Sequence, residues 1–276
     1  MVIKVTVETI PPLTLTAARL VLAGLVLGAV LIAKGRMLPR DPRIWMVSIL
    51  LGIFGNALPF TLISWGELVI PSGLASILMA VMPLATVLLA HFFSEGERAT
   101  RNGLGGIAVG FTGIIILVGP SALKGLGSDV WSQVAVACGA ISYAVSAILV
   151  KNMPPSPLLG RSVTVMICSS AIMVPLALWV DEPLKLAPSL PAIWGAVYLG
   201  TLPTAVATLI YFRLIAAQGA GFFAYINYLI PVMGVIWGAL FLDEIISPQA
   251  LAALATILAG LFIANYRPRR AKHDAA

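Results

Sequence analysis

Charge is what this chain has least of. Only 10% of its 276 residues are Asp, Glu, Lys or Arg, where a soluble domain carries about 25%. With 60% hydrophobic residues and a mean hydropathy of +1.02, it has too much apolar surface to hide in one water-soluble core. Its long apolar runs lack the period-2 alternation of spanning strands, which excludes a β-barrel. Cysteine and histidine are equally scarce, at two each. Cys138 and Cys168 fall inside apolar runs without metal-ligand spacing, so they read as small packing residues. No disulfide, metal site or cofactor is expected. His273 lies in the tail, and His91 lies near the end of a span, as an interface histidine or a proton relay. Neither HExxH nor GxSxG occurs, so an intramembrane enzyme has almost no support. No carboxylate falls mid-span. No charged region followed by an apolar one opens the chain, so no signal peptide is expected. These absences leave an all-α polytopic membrane protein.

Nine apolar stretches are long enough to span, at about residues 13–33, 44–66, 72–93, 103–119, 130–151, 158–180, 191–216, 221–242 and 248–266. Residues 1–9 are apolar but rise only about 14 Å as helix, and Ile10-Pro11-Pro12 then turns. That piece reads as the last half of a further helix, which makes ten spans in the intact protein. The breaks between spans are short and rich in Gly, Pro, Asp or charge, and none can hold a soluble domain. Basic residues crowd alternate breaks: 13 lie around 34–43, 94–102, 151–161, Arg213 and the tail, against Lys124 and Lys185 on the other side. By the positive-inside rule both termini are cytoplasmic. The net charge of +6 is therefore a topology signal and no sign of nucleic acid.

Two stretches stand out as twins. Residues 73–95 and 221–244 each begin with Gly and carry a proline ten residues on, Pro83 and Pro231. Each ends in an acidic pair, Glu95/Glu97 or Asp243/Glu244. Gly55-Asn56-Ala57-Leu58-Pro59 precedes the first and Gly200-Thr201-Leu202-Pro203 the second. The halves are then 1–123, with helix 1 truncated, and 124–266, followed by a basic tail at 267–276. Five helices per half would put the second copy into the membrane upside down. Inverted repeats of this kind build many secondary transporters, with the site at the repeat interface. The prolines should bend their helices and serve as hinges. Gly24-xxx-Gly28, Gly106-xxx-Gly110 and Gly234-xxx-Gly238 offer close-approach seams, for internal packing or for dimerisation.

Candidate cavity residues come from the matched helices: Asn56, Ser64 and Trp65; Met79 and Met82; Tyr143 and Ser146; Tyr211; and Tyr225, Asn227 and Tyr228. Aromatics and methionines make a tolerant apolar slot, and amides and hydroxyls orient a polar end. Each single aromatic reads equally as packing or as an interface anchor, and Trp65 sits closest to the surface. Asn227 is the foremost candidate, because an unpaired amide at membrane depth is costly. Lys4 and Arg19 each lie seven residues from the Pro11-Pro12 turn, about 10 Å deep on adjacent helices. Either attracts a substrate carboxylate, snorkels, or pairs with Glu8.

The order and spacing of several motifs resemble a known family. They are Ile10-Pro11-Pro12-Leu13-Thr14 leading to Ala18-Arg19, Trp65 followed by Ile70-Pro71-Ser72-Gly73-Leu74-Ala75, and the Pro83 and Pro231 helices closing in Gly96-Glu97 and Asp243-Glu244. Nearly the whole chain resembles the EamA-type drug/metabolite transporters. Within them it is most similar to the YddG-type exporters of aromatic amino acids. The resemblance implies two inverted five-helix repeats around a central cavity and export of small metabolites from a bacterial-type inner membrane. The expected function is a secondary active transporter for small amphipathic solutes, foremost aromatic amino acids, working by alternating access. The expected partners are a small-molecule substrate and membrane lipid; a monomer and a homodimer are both compatible. The alternatives are an intramembrane enzyme or a non-transporting receptor.

Overall fold

The computed structural model describes residues 1–93, 101–123, 128–151, 153–210 and 226–265, and no strand occurs among them. The helices are α1 (Val2–Val7), α2 (Pro12–Ala33), α3 (Pro42–Gly52), α4 (Leu58–Gly66), α5 (Ser72–Leu78), α6 (Val81–Phe93), α7 (Arg101–Leu123), α8 (Ser128–Lys151), α9 (Leu158–Val180), α10 (Leu190–Gly200), α11 (Ile226–Leu242) and α12 (Pro248–Asn265). Two π-helical segments, Ile53–Ala57 and Thr201–Val206, continue α3 into α4 and extend α10. Among the described residues six helical runs are long and apolar enough to cross a membrane, and Asn102–Leu117, Leu229–Leu242 and Pro248–Ala264 are shorter apolar helices. The chain is a polytopic helical membrane protein.

Helix boundaries follow local chemistry. Pro12, Pro42 and Pro248 stand at first helical positions, where a missing N–H costs nothing. Asp41 caps α3 by accepting from the Arg43 N–H at 2.8 Å, and Ser247 caps α12 by accepting from the Ala250 N–H at 3.1 Å. At the far end of α2, Gly35 turns left-handed (φ +59°). Its N–H returns to Ile32 and that of Arg36 to Leu31, which closes the helix in a Schellman motif.

Helices cross between the halves where side chains are smallest. α7 packs along α12, α2 along α9, α4 along α8, α5 along α11 and α1 along α10. A Cβ on Gly260 would fall on the Gly110 backbone and 2.6 Å from the Gly106 carbonyl, so the α7–α12 seam is backbone against backbone. Gly234 and Gly238 form a second seam, facing Ser76 of α5 and the Glu244 carboxylate. Gly28 has nothing within 4 Å. It lines an open apolar groove of about 700 Å³ between α2 and α9, so it serves no internal seam.

Apolar packing divides into two main clusters. One gathers Leu20, Leu27, Ile44, Leu51 and Phe60 with Val163, Met166 and Met173. The other gathers Ile63, Ile77, Leu78 and Leu84 with Val136, Val235, Ile257 and Leu261. Tyr143 packs against both.

The end of the bundle opposite the Lys34–Arg43 loop is tied by polar contacts. Asp181 accepts from the Thr14 N–H at 2.7 Å and its hydroxyl at 2.9 Å. Glu244 accepts from the Ser72 N–H at 2.6 Å and the Gly73 N–H at 2.8 Å, capping α5 from the end of α11. Asp243, at φ +50°, makes the turn that brings Glu244 there.

Gly260→Ala should lower stability by about 1–3 kcal/mol, because backbone cannot yield as a side chain can. Gly28→Ala should be neutral or stabilising by up to about 1 kcal/mol, through helix propensity alone. Parallel thermal unfolding of the two variants in detergent checks both.

Candidate functional site

Proline shapes the middle of the bundle by withholding hydrogen-bond donors. In the segment Ile53–Ala57 the Leu58 N–H reaches back five residues to Ile53, so the carbonyl that Pro59 leaves unserved is that of Phe54. The Ser142 hydroxyl of α8 donates to it at 2.7 Å. Four residues before Pro203 stands Leu199, and its carbonyl accepts the Thr204 hydroxyl at 2.7 Å. Each repair directs a hydroxyl into the protein interior. Asn56, in the first π segment, is buried and donates through Nδ2 to the Ser169 hydroxyl of α9 at 3.2 Å. The first twin helix is broken in the same way. α5 stops at Leu78 and α6 starts at Val81, and the Met79 carbonyl, which Pro83 cannot serve, takes the Met82 N–H at 3.0 Å. α11 runs through Pro231 without interruption, and the Ser76 hydroxyl approaches the Pro231 carbonyl at 3.4 Å.

Arg19 is the centre of this polar interior. It lies in α2 and is only 5% exposed. Its guanidinium carbon sits 3.9 Å from the centre of the Phe60 ring. One Nη donates to the Thr204 hydroxyl at 3.3 Å, and Nε finds no acceptor among the described residues. Phe60 in turn meets the Tyr143 ring edge-on, with centroids 6.3 Å apart. A guanidinium carries five N–H donors; one hydrogen bond and an aromatic face leave most of its capacity unused. Among the described residues no carboxylate pairs with it. A buried cation held by a cation–π contact and one neutral hydroxyl is electrostatically open to an anion. The aromatic walls beside it suit an apolar body.

Lys4 does something different. Its ammonium donates to the carbonyls of Glu67 (2.7 Å) and Ile70 (3.2 Å) at the end of α4, rather than pairing with Glu8. It is a helix C-cap by side chain. Ser146 donates to its own helix at Tyr143, 2.8 Å away, and Gly55 approaches it closely. Ser64 is fully buried without a partner for Oγ. Met79 and Met82 are half-buried at the α5–α6 break. Trp65 faces outward, 44% exposed. Tyr211 and Tyr225 lie outside the described residues, as do the side chains of Asn227 and Tyr228.

Sequence reasoning missed Phe60, Thr204, Ser142 and Ser169. Phe60 and Thr204 each follow the matched proline of their half, Pro59 and Pro203. Carrying the repeat one residue further would have singled them out. Ser142 and Ser169 left no such mark, being single hydroxyls in apolar helices.

The model of the EamA-like transporter family matches residues 1–119 and 127–266. The inner membrane transporter YedA of Escherichia coli K12, itself uncharacterized, is 28% identical over 262 residues, 93% of this chain and 82% of its own length. A Streptantibioticus cattleyicolor protein named "Probable terminal-alkyne amino-acid exporter" is 28% identical over 264 residues, covering 95% of this chain and 86% of that protein. A crystal structure shares the fold at a TM-score of 0.68 and 20% identity, over 94% of this chain and 89% of that one.

Ser142→Ala should cost about 1–3 kcal/mol, because it strands the Phe54 carbonyl at membrane depth. A lowered midpoint of thermal unfolding, with unchanged helix content by circular dichroism, is the expected result.

Proposed function

The chain belongs to the EamA-like transporter family, and from that premise we propose that it exports amino acids, aromatic ones foremost, by binding their carboxylate at Arg19. The observation that carries this reading is the buried, unpaired guanidinium between Phe60 and Thr204. An amino acid's carboxylate would meet the free donors of Arg19, and a planar side chain would lie against Phe60 and Tyr143. Thr204 and the hydroxyls near Asn56 offer acceptors for the ammonium end. A relative named as an amino-acid exporter supports the same solute class.

The transport cycle proposed is alternating access between two inverted halves. The main pairings across the halves, α6–α8 apart, fit a pseudo-twofold axis. The contacts α2–α9, α5–α11 and α7–α12 map onto themselves, and α4–α8 maps onto α1–α10. Each half has one π segment near its matched proline, Ile53–Ala57 just before Pro59 and Thr201–Val206 around Pro203. The halves would rock against each other, with Pro83 and Pro231 as hinges. The basic loops face the cytoplasm in this scheme, and the Glu67 and Asp181 end faces out.

Counterflow of labelled phenylalanine into proteoliposomes tests the reading. Unlabelled phenylalanine and phenylpropionate should compete, and phenethylamine, which lacks the carboxylate, should not. Arg19→Gln should reduce transport about 10–100-fold, the worth of one charged hydrogen-bonded contact. An unchanged KM in that variant removes Arg19 from the site. Pro83→Ala should slow exchange while leaving expression intact.

A further inference from the structure

The turn after α4 carries a group that the transport scheme above leaves unused. Glu67 opens that turn, and its side chain goes inward. It is 5% exposed, and its Oε2 meets no donor among the described residues. Its neighbours are in the same condition. Gly66 brings the end of α4 against the start of α8, with the Ser132 carbonyl 2.9 Å from where a Cβ would stand. Ser132 and Gln133 are 1% and 4% exposed, and Ser132 Oγ and Gln133 Oε1 have no partners among the described residues. Ser64, one helical turn before Glu67, completes the set. Gln133, alone of this set, also lines a cavity of about 180 Å³, with Gly73, Glu244, Ser247 and Gln249 among apolar side chains, roomy enough to hold water.

Among the described residues no cation is in an ion pair with this carboxyl. The Lys4 ammonium is spent on backbone carbonyls, that of Glu67 among them, and Glu244 is spent capping α5. Arg19 lies against Phe60 and Thr204. Burial pushes the Glu67 carboxyl above its ordinary value. The positive Met1 amino group and Lys4 pull it down, Glu244 adds to the rise, and Arg19 opposes it. A neutral carboxylic acid suits a buried position whose Oε2 meets no donor better than a carboxylate does.

We propose that Glu67 is a proton-binding site: it holds a proton while the end of α4 is packed on α8, and releases it to water, by way of the cavity that Gln133 lines, when those ends part. The O–H bond breaks heterolytically, the carboxylate remains, and the proton leaves through water. Since parting of the halves is also the transport motion, solute movement is linked to proton movement; this second half rests on the transport reading.

The first test needs no substrate. Infrared difference spectra of the purified protein in lipid, wild type minus Glu67→Gln, should show a protonated-carboxyl band at neutral pH. That band should titrate above the ordinary glutamate pKa of about 4.3. Its absence from the wild type at neutral pH overturns the proposal, and the wild-type titration stands even if the variant folds poorly. The sign of the stability effect is fixed too. A carboxyl raised in the folded state contributes fully below the unfolded pKa, and the contribution fades as pH rises through its folded value. Wild-type melting should therefore fall relative to Glu67→Gln as pH rises over that window; parallel curves overturn it. In vesicles, a one-unit pH gradient should drive accumulation of labelled phenylalanine up to about tenfold for one proton per solute. Glu67→Gln should abolish that accumulation. Equal accumulation in both proteins, or none in a wild type that exchanges phenylalanine, overturns the coupling. A wild type that exchanges no phenylalanine refutes the solute assignment, while the infrared result still decides the proton site.

Discussion

A backbone carbonyl at membrane depth has no water to turn to, and this constraint organises the interior of the protein. Three prolines, Pro59, Pro83 and Pro203, each withhold a donor from the turn before them. The freed carbonyls are served in three ways: by a hydroxyl from a neighbouring helix at Phe54, by a tightened turn at Met79, and by a hydroxyl from the next turn at Leu199. The last of these repairs sets the position of Thr204, which is the group Arg19 reaches. The polar centre is thus assembled from responses to proline.

Close approach of helices supplies the rest. Gly106, Gly110 and Gly260 let α7 and α12 meet backbone to backbone, and Gly234 and Gly238 let α11 meet α5. Without a hydrophobic drive between helices in lipid, such van der Waals contact and interhelical hydrogen bonds are what hold the bundle. Apolar packing collects in two clusters joined through Tyr143.

Lys4, Arg19 and Glu67 find three different settlements. Lys4 finds helix-end carbonyls. Arg19 finds an aromatic face and one hydroxyl, and stays open to an anion. Glu67 finds burial without a donor, which favours its neutral form. Residue type alone does not separate these outcomes; the neighbours do.

The membrane class, the apolar segments, the matched prolines and the family resemblance were all legible in the sequence, because hydropathy and proline spacing are local properties of the chain. Asn56 and Tyr143 were legible as interior polar groups for the same reason. Glu67 fell in the short break between the spans at 44–66 and 72–93, Gly24-xxx-Gly28 read as a seam like the others, and Lys4 and Arg19 read as equivalents. Only the tertiary structure separated these cases. A turn is buried when two helices close over it, a glycine pair is a seam when another helix lies on that face, and a buried cation is paired or open according to what the far half of the chain brings to it. Each of these depends on contacts between residues distant in the chain, such as Arg19 with Thr204 or Glu244 with Ser72, and no local pattern records them.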